Sequence, residues 1–225
     1  MGCRGRVDAA SVGAPKPATD LQAGTYKYKG KVLAGGQEIP LDLSTTIREE
    51  NGMWKTIGTM QSPMGEATDT ATLEKGTLLV RSRNVQQGPA TISLDFTGNK
   101  AVGNVNMAGQ DKPVSVNLGG PLFADAAGSG MVIGTLPLAE GYTTSFRNFD
   151  VRRQKEKLMQ LTVVGTENVT VPAGTFDAFK VEVTPADGGA DKETLWIAKD
   201  SRKCVKMSAV IADMGGATIT QELLP

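Results

Sequence analysis

Few residues in this chain are equipped for chemistry. Histidine is absent from its 225 residues. That removes the Ser-His-Asp triad, the Cys-His dyad and the His-based zinc sites. Acid–base work would then fall to carboxylate pairs. The nearest in sequence are Glu49-Glu50 and the stretch from Asp187 to Asp191. Both sit beside turn signals, where acids are normally solvated, and no catalytic role is assigned to them. Asp187, Asp191 and Glu193 offer calcium-type oxygens, but their spacing fits no known calcium loop. Gly128-Ser129-Gly130 with Gly134 misses the dinucleotide fingerprint and lies in no βαβ context, so it reads as a glycine-rich turn. Ser129 lacks the Gly-x-Ser-x-Gly elbow and has no base to activate it. The two cysteines, Cys3 and Cys204, are too few for a structural zinc site. Alternation places Cys204 with Lys206 and Ser208, as a half-exposed, unreactive thiol. The expectation is a protein that is not an enzyme, with no cofactor and no metal.

Charge narrows the partners. Lys plus Arg number 24 and Asp plus Glu number 24. A balanced surface does not suit nucleic acid, which needs cations to neutralise phosphates. No apolar run approaches the roughly 20 residues of a spanning helix. The membrane is therefore expected to be reached only through a lipid anchor.

The elements that would position a site are strands. The chain holds 27 Gly and 11 Pro, a level that marks many turns between short strands. From Leu21 onward the period is two. Tyr26, Tyr28 and Val32 alternate with lysines. Leu41, Leu43 and Ile47 alternate with Asp42, Ser44 and Thr46. Asn51-Gly52 before Met53–Met60 is a hairpin signal. Further strands are read at Thr77–Arg83, Ile92–Phe96, Val102–Met107 with a bulge near Gly103, and Val114–Leu118. After the break come Tyr142–Phe149, the pair Lys157–Val164 and Glu167–Val171, then Phe179–Val183, Leu195–Ile197, Val205–Ile211 and Ala217–Leu223. Only Pro121–Pro137 breaks the rhythm, and one short helix is expected there, opened by Pro121. The fold class is mainly all-β: an antiparallel sandwich, barrel or curved sheet with one short helix in the middle of the chain. The apolar sides of Tyr26, Tyr28, Leu41, Leu43, Ile92, Leu94, Val114, Val116, Phe179 and Val181 are expected to share its concave face. Of these, Tyr26, Tyr28, Leu41, Leu43, Ile92, Leu94, Phe179 and Val181 are the candidate ligand-binding residues.

Ahead of the domain, Gly2-Cys3 looks like the tail of a bacterial lipobox. That makes Cys3 the candidate lipid-attachment residue. The Ala-, Pro- and Gly-rich stretch that follows lacks periodicity and reads as a tether. The organisation expected is a flexible tether over residues 1–20 and one β-rich domain over 21–225.

Val169-Thr-Val-Pro-Ala-Gly-Thr-Phe-Asp-Ala-Phe-Lys-Val-Glu-Val183, followed by Lys192-Glu-Thr-Leu-Trp-Ile-Ala-Lys-Asp-Ser-Arg-Lys-Cys-Val-Lys206, resembles a family of uncharacterised bacterial envelope proteins. Members are similar in architecture to LolA- and LppX-type lipoprotein carriers, and similar segments are appended to secreted peptidases. The resemblance implies a strongly curved antiparallel sheet or half-barrel, partly closed around the one short helix, and a place in the periplasm or outer envelope. It implies no catalytic residues. The function expected is a non-catalytic envelope module holding a lipid or other apolar small molecule. The alternative is a structural or accessory domain without a ligand, and cavity volume separates the two.

Overall fold

The computed structural model describes residues 12–107, 109–151 and 153–225. The first eight strands form a meander: β1 (Gly24–Ala34), β2 (Gln37–Glu50), β3 (Met53–Ser62), β4 (Gly65–Glu74), β5 (Val80–Gln87), β6 (Ala90–Thr97), β7 (Lys100–Met107) and β8 (Gln110–Asn117). The helix α1 (Ser129–Gly134) follows. Six strands complete the chain: β9 (Thr143–Asp150), β10 (Lys155–Val171), β11 (Gly174–Pro185), β12 (Lys192–Ala198), β13 (Cys204–Ile211) and β14 (Ala217–Leu223). All fourteen lie in one sheet, ordered β8-β7-β6-β5-β4-β3-β2-β1-β14-β13-β12-β11-β10-β9. Every strand pairing is antiparallel, and the first and last strands meet where β1 pairs with β14.

The sheet is not closed into a barrel, yet it curls far enough for its flanks to meet. Phe96 on β6 and Phe149 on β9 pack edge-on at 6.2 Å, although β6 and β9 lie near opposite ends of the strand order. A strap between β8 and β9 crosses the gap. The Val80 amide donates to the Leu122 carbonyl at 3.1 Å, and the Phe123 amide donates to the Arg147 carbonyl at 3.1 Å. Two isolated bridges, Leu79 with Phe123 and Leu122 with Arg147, thus tie the strap to the approach to β5 and to edge strand β9.

Local chemistry explains most elements. Asn51 and Gly52 both take positive φ, 53° and 75°, as a two-residue hairpin requires. By register, Tyr28, Leu43 and Met60 stack across β1, β2 and β3 on one face, as do Val181 and Leu195 across β11 and β12. That face carries one continuous buried cluster. The opposite face carries cross-strand ion pairs such as Lys29–Asp42 and Lys206–Glu222. It also bears Trp196, whose ring lies beneath the ammonium groups of Lys180 and Lys206.

The structure corrects several readings. β4 lies where no strand is read. The strand expected at Thr77–Arg83 begins at Val80, because Leu78 takes φ 55° in the preceding turn. Lys157–Val164 and Glu167–Val171 are one strand of 17 residues, interrupted by a register shift between Val163 and Gly165. Gly103 is not a bulge; it pairs in register with Leu94. Its glycine serves close approach, since a Cβ there would lie 1.9 Å from the Ser93 carbonyl oxygen.

Cys3 and the first half of the expected tether lie outside the described residues. The part from Val12 to Asp20 lies against the domain. The Arg147 guanidinium donates to the Val12 carbonyl. The amides of Ala18 and Thr19 donate to the Thr135 carbonyl at 2.8 and 3.2 Å. Trp54 Nε1–H donates to Asp20 Oδ1 at 2.6 Å.

Candidate functional site

The site follows from how the strap sits on the concave face. Ala124 and Gly128 take positive φ, 51° and 82°, and bracket a sharply bent segment. Between them, two carboxylates fix the strap to the sheet. Asp125 accepts the Phe149 amide at 2.9 Å. Asp69, on β4, accepts the Ala127 amide at 3.2 Å. Arg83 lies between both acids, donating to Asp69 at 2.9 Å and standing 3.5 Å from Asp125. Two carboxylates share one guanidinium in a poorly solvated patch. Burial therefore pushes the more enclosed one, Asp125, up to about 7, against the pull of Arg83.

Glycines let the strap settle closely. A Cβ on Gly58 would lie 2.4 Å from Ala127 Cβ. One on Gly130 would lie 2.8 Å from Cys204 Sγ, and one on Gly134 only 2.1 Å from the Arg202 carbonyl oxygen. The glycine-rich stretch is thus a packing device between strap and sheet.

Under the second half of the strap the packing opens. A cavity of about 300 Å³ lies between residues 126–131 and the sheet. Leu43, Met60, Ala67, Asp69 and Val85 line one side, from β2 to β5. Glu193, Leu195, Cys204 and Met207 line the other, from β12 and β13. Tyr28 and Met131 stand between them. Three thioethers and a thiol give the walls a soft, polarizable character. The Tyr28 hydroxyl donates to the Cys204 carbonyl at 3.1 Å, and the Cys204 amide points at Met131 Sδ at 3.4 Å.

Cys204 does not share a face with Lys206, as alternation suggests. Lys206 pairs with Trp196, but Cys204 pairs with Ile197, so one residue is inserted between them. The bulge turns Cys204 inward. It is buried, and burial pushes its thiol well above the ordinary range. Burial likewise raises the Tyr28 hydroxyl.

Glu193 is the polar group of this cavity that nothing balances. It shares the inward face with Leu195, two residues on, and pairs with Val183 and Ala209. It has no hydrogen-bond or ion-pair partner among the described residues. The residue is half-buried, and burial pushes its carboxyl up to about 7. The other acids considered above are engaged elsewhere. Glu49 pairs with Lys75, and Glu50 with Arg48 and Lys55. Asp191 pairs with Lys157 at 2.6 Å and also accepts the Ala212 amide, which holds its carboxyl below the usual range. Asp187 accepts the Gly189 amide. Among the described residues no three His, Cys, Asp or Glu side chains cluster to hold a metal.

Of the eight candidate ligand-binding residues, Tyr28 and Leu43 line the cavity. Tyr26, Leu41, Leu94 and Val181 are buried away from it, and Ile92 packs against the core. Phe179 is half-buried under Lys199 and Arg202. Met60, Met131, Glu193, Cys204 and Met207 were not among them. The Glu193–Leu195–Ile197 alternation is the sequence signal that marks Glu193 as inward.

No curated protein matches the sequence. Among solved structures, the chain is similar to a β-barrel-like DUF1849 protein from Brucella abortus. The match has a TM-score of 0.57 at 7% identity, over 92% of this chain and 98% of that one. Weaker likenesses reach a hypothetical lipoprotein, YmcC, from Escherichia coli (TM-score 0.38, 14% identity, 92% and 90% covered). An exported protein with a YmcC-like fold from Bacteroides fragilis is comparable (TM-score 0.36, 12% identity, 92% and 97% covered). The first likeness is one of fold. A family model matches residues 27–222, a span that contains the two segments whose resemblance is described above, and the chain belongs to that family, described as Protein of unknown function (DUF3108).

Proposed function

We propose that this chain is a non-catalytic cell-envelope module that holds a small, largely apolar ligand between its curved sheet and the strap. The observation that carries the reading is the cavity of about 300 Å³ under residues 126–131. That volume stands at the lower end of ligand sites, about 300–1,000 Å³. A close-packed accessory domain would fill the space with side chains. Each CH₂ of a guest removed from water there gains about 0.8 kcal/mol. The Met-rich wall suits guests of variable shape. The Gly2-Cys3 resemblance to a lipobox supports the envelope as the compartment, with Cys3 as the attachment point.

A neutral, environment-sensitive dye titrated into the full chain tests the ligand. Saturable binding at micromolar to tens of micromolar concentration is expected. Ala67→Phe, which fills the cavity from its floor, should abolish it while the variant stays folded by circular dichroism. Failure to bind, or binding indifferent to Ala67→Phe, would leave the accessory-domain reading in its place.

A further inference from the structure

We propose that the cavity selects a cationic guest: an apolar body carrying a protonated amine that docks against Glu193. The inference rests on the binding reading above and names the ligand class. Its basis is the charge inventory of the walls. The lining holds two carboxylates, Asp69 and Glu193, and neither lysine nor arginine. Asp69 is already neutralised by Arg83 and by the Ala127 amide. Glu193 has no partner among the described residues.

The neighbours of Glu193 cannot supply a cation either. Its register partners are Val183 and Ala209, and Leu195 and Met207 form the next pair along the inward face. Lys192 extends to the other face and pairs with Glu182 at 2.7 Å. A carboxylate left in apolar surroundings is costly unless a counter-charge arrives. Burial holds the Glu193 carboxyl near neutrality in the empty cavity, at about 7. An ammonium from the guest supplies the missing charge, and its alkyl part takes the space bounded by Met60, Met207 and Leu43. A fatty acid would place a second carboxylate against the first. The same site therefore disfavours the anionic lipids that an apolar cavity alone would admit.

The test is competition by octylamine, octanol and octanoate against the neutral dye, for the full chain and for Glu193→Gln. In the wild type, octylamine should compete at least tenfold better than octanol, with octanoate the weakest. Glu193→Gln should remove the amine's advantage and leave octanol within about twofold, which shows that the cavity itself persists. Octylamine no better than octanol in the wild type, or an amine advantage that survives Glu193→Gln, would overturn the proposal while the binding module stands. If the dye binds but no octyl compound displaces it, this proposal falls while the binding reading stands on the dye and Ala67→Phe.

Discussion

The strap covers two halves of one interior, and they are built differently. Its first half, Leu122 to Asp125, lies on large side chains. Phe123 meets Phe146 edge-on at 5.9 Å, and Leu122, Phe123 and Phe146 are all but excluded from solvent. The second half, Ala126 to Met131, lies over Gly58, Ala67 and the far ends of Met60 and Met207. Backbone, sheet and strap are continuous across both. Side-chain volume on the sheet floor is what differs. Aromatic rows seal one end, and rows of Gly, Ala and Thr leave the other hollow. The polar groups divide the same way. Asp125 in the sealed half has a backbone donor and a guanidinium, whereas Glu193 in the hollow half has neither. The hollow half thus holds a carboxylate with no partner among the described residues, whereas the acid of the sealed half has donors on two sides.

The largest effect that would sharpen this comparison is truncation in each half. Phe146→Ala should cost about 3–5 kcal/mol of unfolding free energy. Met60→Ala, whose side chain already borders empty space, should cost less than about 1 kcal/mol. Urea titrations with unchanged slopes would read both. Equal losses would break the distinction between sealed and hollow.

The shared guanidinium comes next. Arg83→Met leaves Asp69 and Asp125 facing each other without a cation, and about 3 kcal/mol should be lost at pH 8. Asp125 already titrates near 7 in the folded state, well above its ordinary 3.8. A raised carboxyl favours the folded state when protonated, so its contribution is full below the ordinary value and lost as pH rises through about 7. The Arg83→Met deficit should therefore shrink between pH 8 and pH 5. A deficit independent of pH would show that the two acids do not share the charge.

Glu193→Gln should change stability less than Arg83→Met does, and with the opposite sign. The Glu193 carboxyl stands at about 7 against an ordinary 4.5. Its folded-state contribution is full below about 4.5 and disappears as pH rises through about 7, whereas glutamine does not titrate. The variant should be more stable than wild type at pH 8, by on the order of 2 kcal/mol, and indistinguishable from it at pH 4. Thermal midpoints at the two pH values decide it; a destabilised variant at pH 8 would mean that Glu193 has a partner after all.

The sealed half was far more legible in the sequence than the hollow one, and the reason is the same volume difference. Ile92, Leu94 and Phe96 announce β6 by strong alternation. β4, Gly65–Glu74, places Ala67, Asp69 and Ala71 inward before reaching Leu73. Its inward residues are too small or too polar to stand out from the threonines between them. The strand escapes a period-two reading for the reason its end of the interior is empty. Cys204 and the long β10 show a second way in which pattern misleads. One inserted residue leaves the composition of a strand unchanged, but it reverses the face of everything beyond it.

Composition and alternation by themselves determined that this chain is a meander of short antiparallel strands with one short helix, and that it contains no histidine. Those properties are local: side-chain period, turn residues and the absence of a residue type. Only the tertiary structure decided that the sheet's flanks meet beneath a strap, that Cys204 turns inward, and that Glu193 faces a cavity without a counter-ion among the described residues. Each depends on distances between residues far apart in the chain, such as Asp69 with Ala127 and Tyr28 with Cys204. Such distances follow from sheet curvature and side-chain volume acting together, and neither is carried by any one segment of the sequence.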